Sequence, residues 1–73
     1  MNILLERQSS ETLARLKIFA DIYLADGNPN RKPDWGLWSE AVEKAGLTGH
    51  DKAILWVLED VNRLGDLLTL KPE

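Results

Sequence analysis

The residues best suited to contact another molecule lie in one predicted helix, which covers residues 50–64. Trp56 falls off the aliphatic stripe of this helix, and helical spacing places it near four charged side chains: Lys52, Glu59, Asp60 and Arg63. A tryptophan ringed by charged groups, with an arginine nearby, is typical of a protein-binding hot spot. The alternative is that Trp56 packs beneath the N-terminal segment, because a small domain has few wholly exposed faces.

The loop of residues 27–34 is a second candidate region. It holds Arg31 and Lys32, the only adjacent pair of basic residues in the chain, and its two prolines and one glycine disfavour regular structure. Trp35 follows, and an aromatic side chain beside basic residues can stack on a base or bind a partner. We favour the alternative for Trp35, a hydrophobic staple that fixes the loop to the next helix. The predicted partner-binding surface therefore comprises Trp56, Lys52, Arg63, Arg31 and Lys32.

The sequence offers no evident catalytic or metal-binding set. There is no cysteine, and the single histidine, His50, lies near a helix start, where a solvated first-turn residue is the usual role. Asp21 and Asp26 lie five residues apart without a partner group. No nucleophile has an activating neighbour, and no glycine-rich phosphate-binding loop is present. We therefore expect no enzymatic activity, no cofactor and no metal.

Length and composition predict one small globular domain over residues 1–73, since 44% of the residues are hydrophobic. No apolar run approaches the roughly 18–20 residues of a membrane span. Residues 1–7 lack the basic and long apolar regions of a signal peptide. We expect a soluble cytoplasmic protein that contacts no membrane. Its thin core is compatible with an oligomer or with stabilisation by a partner.

Charge is unevenly distributed along the chain. Residues 1–33 carry five basic and four acidic side chains, whereas residues 34–73 carry four basic and eight acidic ones. The first part therefore has a charge of +1 and the second a charge of −4, which together give the formal net charge of −3. Because neutralising phosphates supplies most of the affinity for nucleic acid, this acidic half argues against direct DNA binding by the monomer.

Apolar spacing and capping residues predict three helices. Helix one begins near Ser9 or Ser10, runs to about Asp26 and stops at Gly27. Its apolar stripe comprises Leu13, Leu16, Phe19, Ala20, Tyr23 and Leu24. Helix two covers roughly residues 35–45, with Asp34 as its N-cap.

Helix three is predicted to begin after a turn at Gly46, which suits a left-handed C-cap. Thr48 is its expected N-cap, and Asp51 lies where the second member of a capping box lies. The helix should end at Gly65, and Leu55 should point away from its buried stripe. That stripe comprises Ala53, Ile54, Val57, Leu58, Val61, Leu64 and Leu68.

The two ends of the chain are predicted to be extended. Leu67, Leu68 and Leu70 follow Gly65, and residues 3–5 at the other end could pair with them as a small antiparallel ribbon. The predicted fold is all-α, a three-helix, helix-turn-helix-like domain with short extended termini that could form a β-ribbon.

The sequence of helix, glycine turn and longer helix resembles the winged-helix or helix-turn-helix class of regulators. The matching residues are Ala41, the turn Ala45-Gly46-Leu47-Thr48, the buried positions Ile54, Leu58 and Val61, and the exit Leu64-Gly65-Asp66-Leu67-Leu68. In size, charge and layout the chain also resembles small phage-encoded regulators of host RNA polymerase. These resemblances imply a role in transcription regulation.

We therefore expect a small acidic regulatory protein that acts by protein–protein contact, as a phage-type inhibitor or modulator of a host machine such as RNA polymerase. One alternative is a winged-helix regulator that binds DNA as a dimer. The other is an antitoxin or anti-defence inhibitor, whose sequence would look the same at this level.

Overall fold

Four α-helices and one 3₁₀ helix make up the computed structural model, which describes residues 3–25 and 33–70. In chain order they are α1 (Ile3–Glu6), α2 (Ser10–Tyr23), α3 (Trp35–Ala45), α4 (Gly49–Asp60) and the 3₁₀ helix (Leu64–Thr69). The described residues contain no strand, so the predicted all-α class is confirmed. None of the described helices combines the length and the apolar character that a membrane crossing requires.

Ser9 caps the first long helix, α2. Its hydroxyl accepts a hydrogen bond from the backbone N–H of Thr12 at 3.2 Å, which confirms one of the two predicted caps. The helix itself ends at Tyr23. This end comes before the predicted one at about Asp26, since Leu24 and Ala25 already form a turn. Asp26 and the predicted stop at Gly27 themselves lie outside the described residues.

The boundaries of α3 are those predicted from the sequence. A carboxylate oxygen of Asp34 accepts a hydrogen bond from the backbone N–H of Leu37 at 3.0 Å. At the other end Gly46 has the left-handed backbone angles φ 68° and ψ 37°. The backbone N–H of Leu47 donates to the carbonyl of Val42 at 3.2 Å and closes the last turn.

Thr48 and Asp51 form the predicted capping box at the start of α4. The Thr48 hydroxyl accepts from the backbone N–H of Asp51 at 3.2 Å, and the Asp51 carboxylate accepts from that of Thr48 at 3.0 Å. Each side chain thus satisfies a backbone donor that the helix leaves unpaired.

The helix α4 ends earlier than predicted. Its last residue is Asp60, whereas the sequence pattern placed the end at Gly65. Asn62 adopts a positive φ of 56°, and the N–H of Arg63 donates to the carbonyl of Leu58 at 2.7 Å. Asparagine tolerates the left-handed region better than other residues with side chains, so it can replace glycine at this position.

The predicted extended termini are wrong within the described residues. Ile3–Glu6 is α-helical and Leu64–Thr69 is a 3₁₀ helix, so no ribbon joins them. Leu64 and Leu67 lie three residues apart, which places both on one side of a 3₁₀ helix. Both are buried, as is Leu5 from α1. The apolar ends of the chain are therefore buried through short helices instead of a β-ribbon.

The helix α2 is the central element, and it packs against α3, α4 and the 3₁₀ helix. Five of the six apolar residues predicted for its stripe are buried: Leu16, Phe19, Ala20, Tyr23 and Leu24. Leu13 is partly buried and packs against the core. Ile18, which falls off the stripe, remains 46% exposed.

The buried face of α4 differs from the prediction. Val57 and Val61 were expected in the core but are 50% and 55% exposed, whereas Leu55 was expected to point elsewhere and is fully buried. Ala53 is also exposed. The buried residues of α4 are Asp51, Ile54, Leu55 and Leu58. The predicted and observed stripes share two residues, because apolar side chains cover more than one side of this helix.

Candidate protein-binding surface

All five aromatic side chains of the protein form one cluster that extends from the core to the surface. Phe19, Tyr23 and Trp38 are buried. Trp35 and Trp56 lie at the outer end of the cluster and are 48% and 53% exposed. The two exposed indoles are therefore supported from below by aromatic side chains of the core.

Trp38 joins the buried and the exposed parts of this cluster. Its ring centroid lies 5.1 Å from Phe19 and 5.2 Å from Tyr23, both in edge-to-face geometry. On the outer side it lies 5.3 Å from Trp35 and 5.4 Å from Trp56. Such pairs contribute about 0.5–1.5 kcal/mol each beyond the burial of area. Trp38 therefore restricts the positions of both exposed indoles.

Local sequence explains how the two exposed indoles reach the same place. Trp35 and Trp38 are three residues apart on α3, so they share one side of that helix. The start of α3 is tied to the end of α2, because the backbone N–H of Asp34 donates to the Tyr23 hydroxyl at 3.1 Å. Trp56 approaches from α4, and its ring centroid lies 5.5 Å from that of Trp35.

These indoles form part of an open groove of about 490 Å³. It is lined by Trp35, Trp56, Val57, Glu59 and Asp60, and we call it the Trp35–Trp56 groove. Three of its side chains are apolar and two are carboxylates from the last turn of α4. The groove therefore presents aromatic surface beside negative charge.

The predicted site residues have different positions relative to this groove. Trp56 lines the groove and is half exposed, so the alternative that it packs beneath the N-terminal segment is wrong. Lys52 and Arg63 are exposed, but neither lines the groove. Arg31 and Lys32 lie outside the described residues. Of the five predicted residues, Trp56 alone lines the groove within the described part of the chain.

Four groove residues were missing from the predicted surface. The sequence pattern predicts a staple for Trp35 and a core position for Val57, and it places Glu59 and Asp60 only as neighbours of Trp56. One signal could have revealed part of the groove, since Trp56, Val57 and Asp60 fall at positions i, i+1 and i+4 of one helix face. The contribution of Trp35 depends on the packing of α3 beside α4 and has no local signal.

An ion pair between a partly exposed arginine and a buried carboxylate joins α4 to α2 below the groove. The guanidinium Nε of Arg15 donates to Oδ2 of Asp51 at 2.6 Å, and Asp51 is fully buried. Burial raises the pKa of the Asp51 carboxyl, but hydrogen bonds from Arg15 and Thr48 outweigh it and hold that pKa below its ordinary value. With Asp51 facing α2, Trp56 and Val57 face outward.

His50 is exposed and makes a polar contact with Gln8, and neither residue lines the groove. Its Nε2 lies 2.8 Å from the side-chain oxygen of Gln8. Among the described residues, no group of three or more histidine, cysteine, aspartate or glutamate side chains is arranged to hold a metal ion.

Comparison of the chain with protein-family models, with curated proteins and with solved structures finds no match in any of the three.

Proposed function

We propose that this protein is a small regulatory domain that binds another protein through the Trp35–Trp56 groove. The observation that carries the proposal is the pair of half-exposed indoles, 5.5 Å apart, on a buried aromatic base. Tryptophan is among the residues most enriched at binding hot spots, where it supplies a large area that a partner can desolvate. Exposed apolar clusters on small proteins commonly mark such contact sites.

Preorganisation of the indoles supports this role. Ordering a flexible side chain on binding costs free energy, and a side chain that is already restricted avoids most of that cost. Trp56 and Trp35 each contact Trp38 and one another, so both are restricted before a partner arrives. Val57 lies next to them and Val61 lies one turn further along the chain, and both add exposed apolar surface.

The finer architecture that we propose is a helix-turn-helix-like arrangement of α3 and α4. Three residues, 46–48, separate the two helices, and the left-handed Gly46 allows the sharp change of direction. In this arrangement α4 takes the place of a recognition helix. This layout, together with the small size and acidic charge, supports a partner in transcription, with RNA polymerase as the first complex to test for a phage-type modulator.

Charge favours a protein partner over direct contact of α4 with DNA. In a helix-turn-helix, N-terminal residues of the second helix enter the major groove. Here Lys52 is the only lysine or arginine of α4. Its neighbour Asp51 is buried against Arg15 and so is not available to a partner. The exposed face further along carries Trp56 and Asp60. We expect no nanomolar affinity for duplex DNA near physiological salt, and steeply salt-dependent nanomolar binding would favour the dimeric DNA-binding alternative instead.

The test compares partner capture by wild type and two alanine variants. Trp56→Ala removes a groove indole, while Ile18→Ala removes a similarly exposed apolar side chain from α2. Proteins captured from a lysate of the source cell by wild type and Ile18→Ala, but lost with Trp56→Ala, identify the partner. Their identity also separates a transcription complex from a toxin or a defence protein.

Affinity for the purified partner then gives the decisive number. We expect Trp56→Ala to stay folded, with some stability lost along with its ring contacts to Trp35 and Trp38, and to weaken binding by more than about 2 kcal/mol, roughly 30-fold. Ile18→Ala should leave the affinity within about twofold. If Trp56→Ala is folded and binds the captured protein with unchanged affinity, the groove is not the contact surface.

A further inference from the structure

We infer that the partner places an arginine side chain in the Trp35–Trp56 groove, over the indoles and beside the carboxylates. The inference rests on the proposed function and specifies the chemistry of the segment that the groove receives. Two features found together carry it: exposed aromatic faces, and carboxylates that have no ion-pair partner among residues 3–25 and 33–70.

Glu59 and Asp60 supply the negative charge of the groove. Neither side chain forms an ion pair or a hydrogen bond with any other residue in the described part of the chain. Elsewhere on the surface two acidic side chains are paired, Asp21 with Lys17 at 3.1 Å and Glu40 with Lys44 at 3.1 Å. Within the described ranges, the groove therefore presents two unpaired carboxylates to a cation of a partner.

The indoles favour the same type of occupant. A cation over the face of a tryptophan is attracted by the negative face of the ring system, and arginine makes this contact more often than lysine. The planar guanidinium can stack on an aromatic ring while its N–H groups reach a carboxylate in a bidentate manner. The Trp35–Trp56 groove offers both kinds of contact side by side.

Ring geometry determines where the guanidinium lies. The centroids of Trp35 and Trp56 are 5.5 Å apart, with 31° between the ring planes. Inserting a third planar group between two rings requires about 7 Å, twice the usual contact distance of about 3.5 Å between carbon atoms. The guanidinium therefore lies over the exposed faces of the pair and not between the rings.

Other occupants fit the groove less well. A purely apolar segment would desolvate the two carboxylates without pairing them, which is costly. A second copy of this chain has a net charge of −3 and would bring the same two carboxylates against the first pair. An arginine side chain on a protein segment can stack on the indoles of the groove and pair with its carboxylates.

Two peptides that differ in one charge provide the test. The probes are the capped tripeptide acetyl-Leu-Arg-Leu-amide and its analogue with citrulline, which is neutral and has nearly the same shape. The full chain, isotopically labelled, is titrated with each peptide while the three indole N–H signals are followed by nuclear magnetic resonance. We expect the signals of Trp35 and Trp56 to move more than that of Trp38, and the citrulline peptide to bind about tenfold more weakly.

Charge-neutralising variants then locate the cation. The double variant Glu59→Gln/Asp60→Asn should bind the arginine peptide about tenfold more weakly and bind the citrulline peptide with unchanged affinity. Glu40→Gln/Glu43→Gln changes the net charge by the same amount on exposed positions of α3 outside the groove, and should leave both peptides unchanged.

The outcomes separate this inference from the proposed function. Equal binding of the two peptides overturns the arginine assignment, and so does an absence of any movement of the Trp35 and Trp56 signals. In either case, loss of the captured partner in Trp56→Ala would still support the groove as a contact surface. A partner that Trp56→Ala retains would instead remove the proposed function, and the inference with it.

Discussion

Arg15 and Asp51, which lie 36 residues apart in the chain, form a charge-assisted hydrogen bond of 2.6 Å between α2 and α4. Asp51 is fully buried, and the Arg15 side chain is 30% exposed. The same carboxylate also accepts the backbone N–H of Thr48 in the capping box. The Asp51 side chain therefore caps the N-terminus of α4 and attaches this helix to α2, with the Asp51 side of α4 facing the core.

Removal of this carboxylate should destabilise the fold. We expect Asp51→Ala to lower the free energy of unfolding by about 2–4 kcal/mol, because it leaves Arg15 unpaired and the N-terminus of α4 uncapped. Urea denaturation measures the change. The matched control is Asp21→Ala, which breaks an exposed pair with Lys17 and should cost less than about 0.5 kcal/mol. Equal losses in the two variants would contradict the role given to Asp51.

Acid should remove the contribution of Asp51. The pKa of its carboxyl is lower in the folded protein than its ordinary value of 3.8, so the unfolded chain binds this proton more readily. The stabilisation is therefore fully present above the ordinary pKa and is lost as the pH falls through the lower, folded-state pKa. We expect the stability difference between wild type and Asp51→Asn to shrink below about pH 4. A difference that stays constant from about pH 6 to pH 2.5 would exclude this linkage.

The turn between α3 and α4 should depend on glycine at position 46. Gly46 has φ 68°, and although no atom lies within 4 Å of an added Cβ, a β-branched residue is strained in this region. Gly46→Val should therefore destabilise the protein by about 1–3 kcal/mol in thermal or urea unfolding. Gly49→Ala is the control, since Gly49 begins α4 in open space. We expect Gly49→Ala to be neutral or to stabilise the protein by up to about 1 kcal/mol. A Gly46→Val protein as stable as wild type would refute the left-handed turn.

The buried side of α4 can be identified by truncating its apolar residues one at a time. Leu55→Ala and Leu58→Ala should each cost about 2–5 kcal/mol, because both side chains are fully buried. Val61→Ala should change stability by less than about 0.5 kcal/mol, because Val61 is 55% exposed. The opposite ranking of Leu55 and Val61 would restore the stripe that the sequence pattern predicted.

The helix boundaries that local chemistry controls were predictable from the sequence. Ser9, Asp34 and Thr48 cap helices through hydrogen bonds to residues three positions away, and Gly46 ends α3 by its own backbone preference. No distant contact is needed for these features. The end of α4 was not predictable in this way, because Gly65 is the stronger stop signal in the sequence, yet the helix ends at Asp60 and the left-handed residue that follows is Asn62.

Trp56 could be singled out from the sequence because it falls off the predicted apolar stripe of α4 and lies among charged side chains. The other groove residues required the packing of two helices. Trp35 approaches Trp56 only because both contact Trp38, which the core holds through Phe19 and Tyr23. The meeting of these side chains depends on interhelical distances that no spacing within one helix encodes.

The sequence by itself determined an all-α domain, the caps of its long helices and the apolar side of α2. Tertiary structure decided which side of α4 is buried. Ile54 and Leu58 belong to both the predicted and the observed stripe, and the observed side is the one that buries Leu55 and places Asp51 against Arg15. Tertiary structure also decided that the termini bury their leucines in short helices. The physical reason is range: caps and turns act over three or four residues, whereas the rotation of a helix depends on partners far away in the chain.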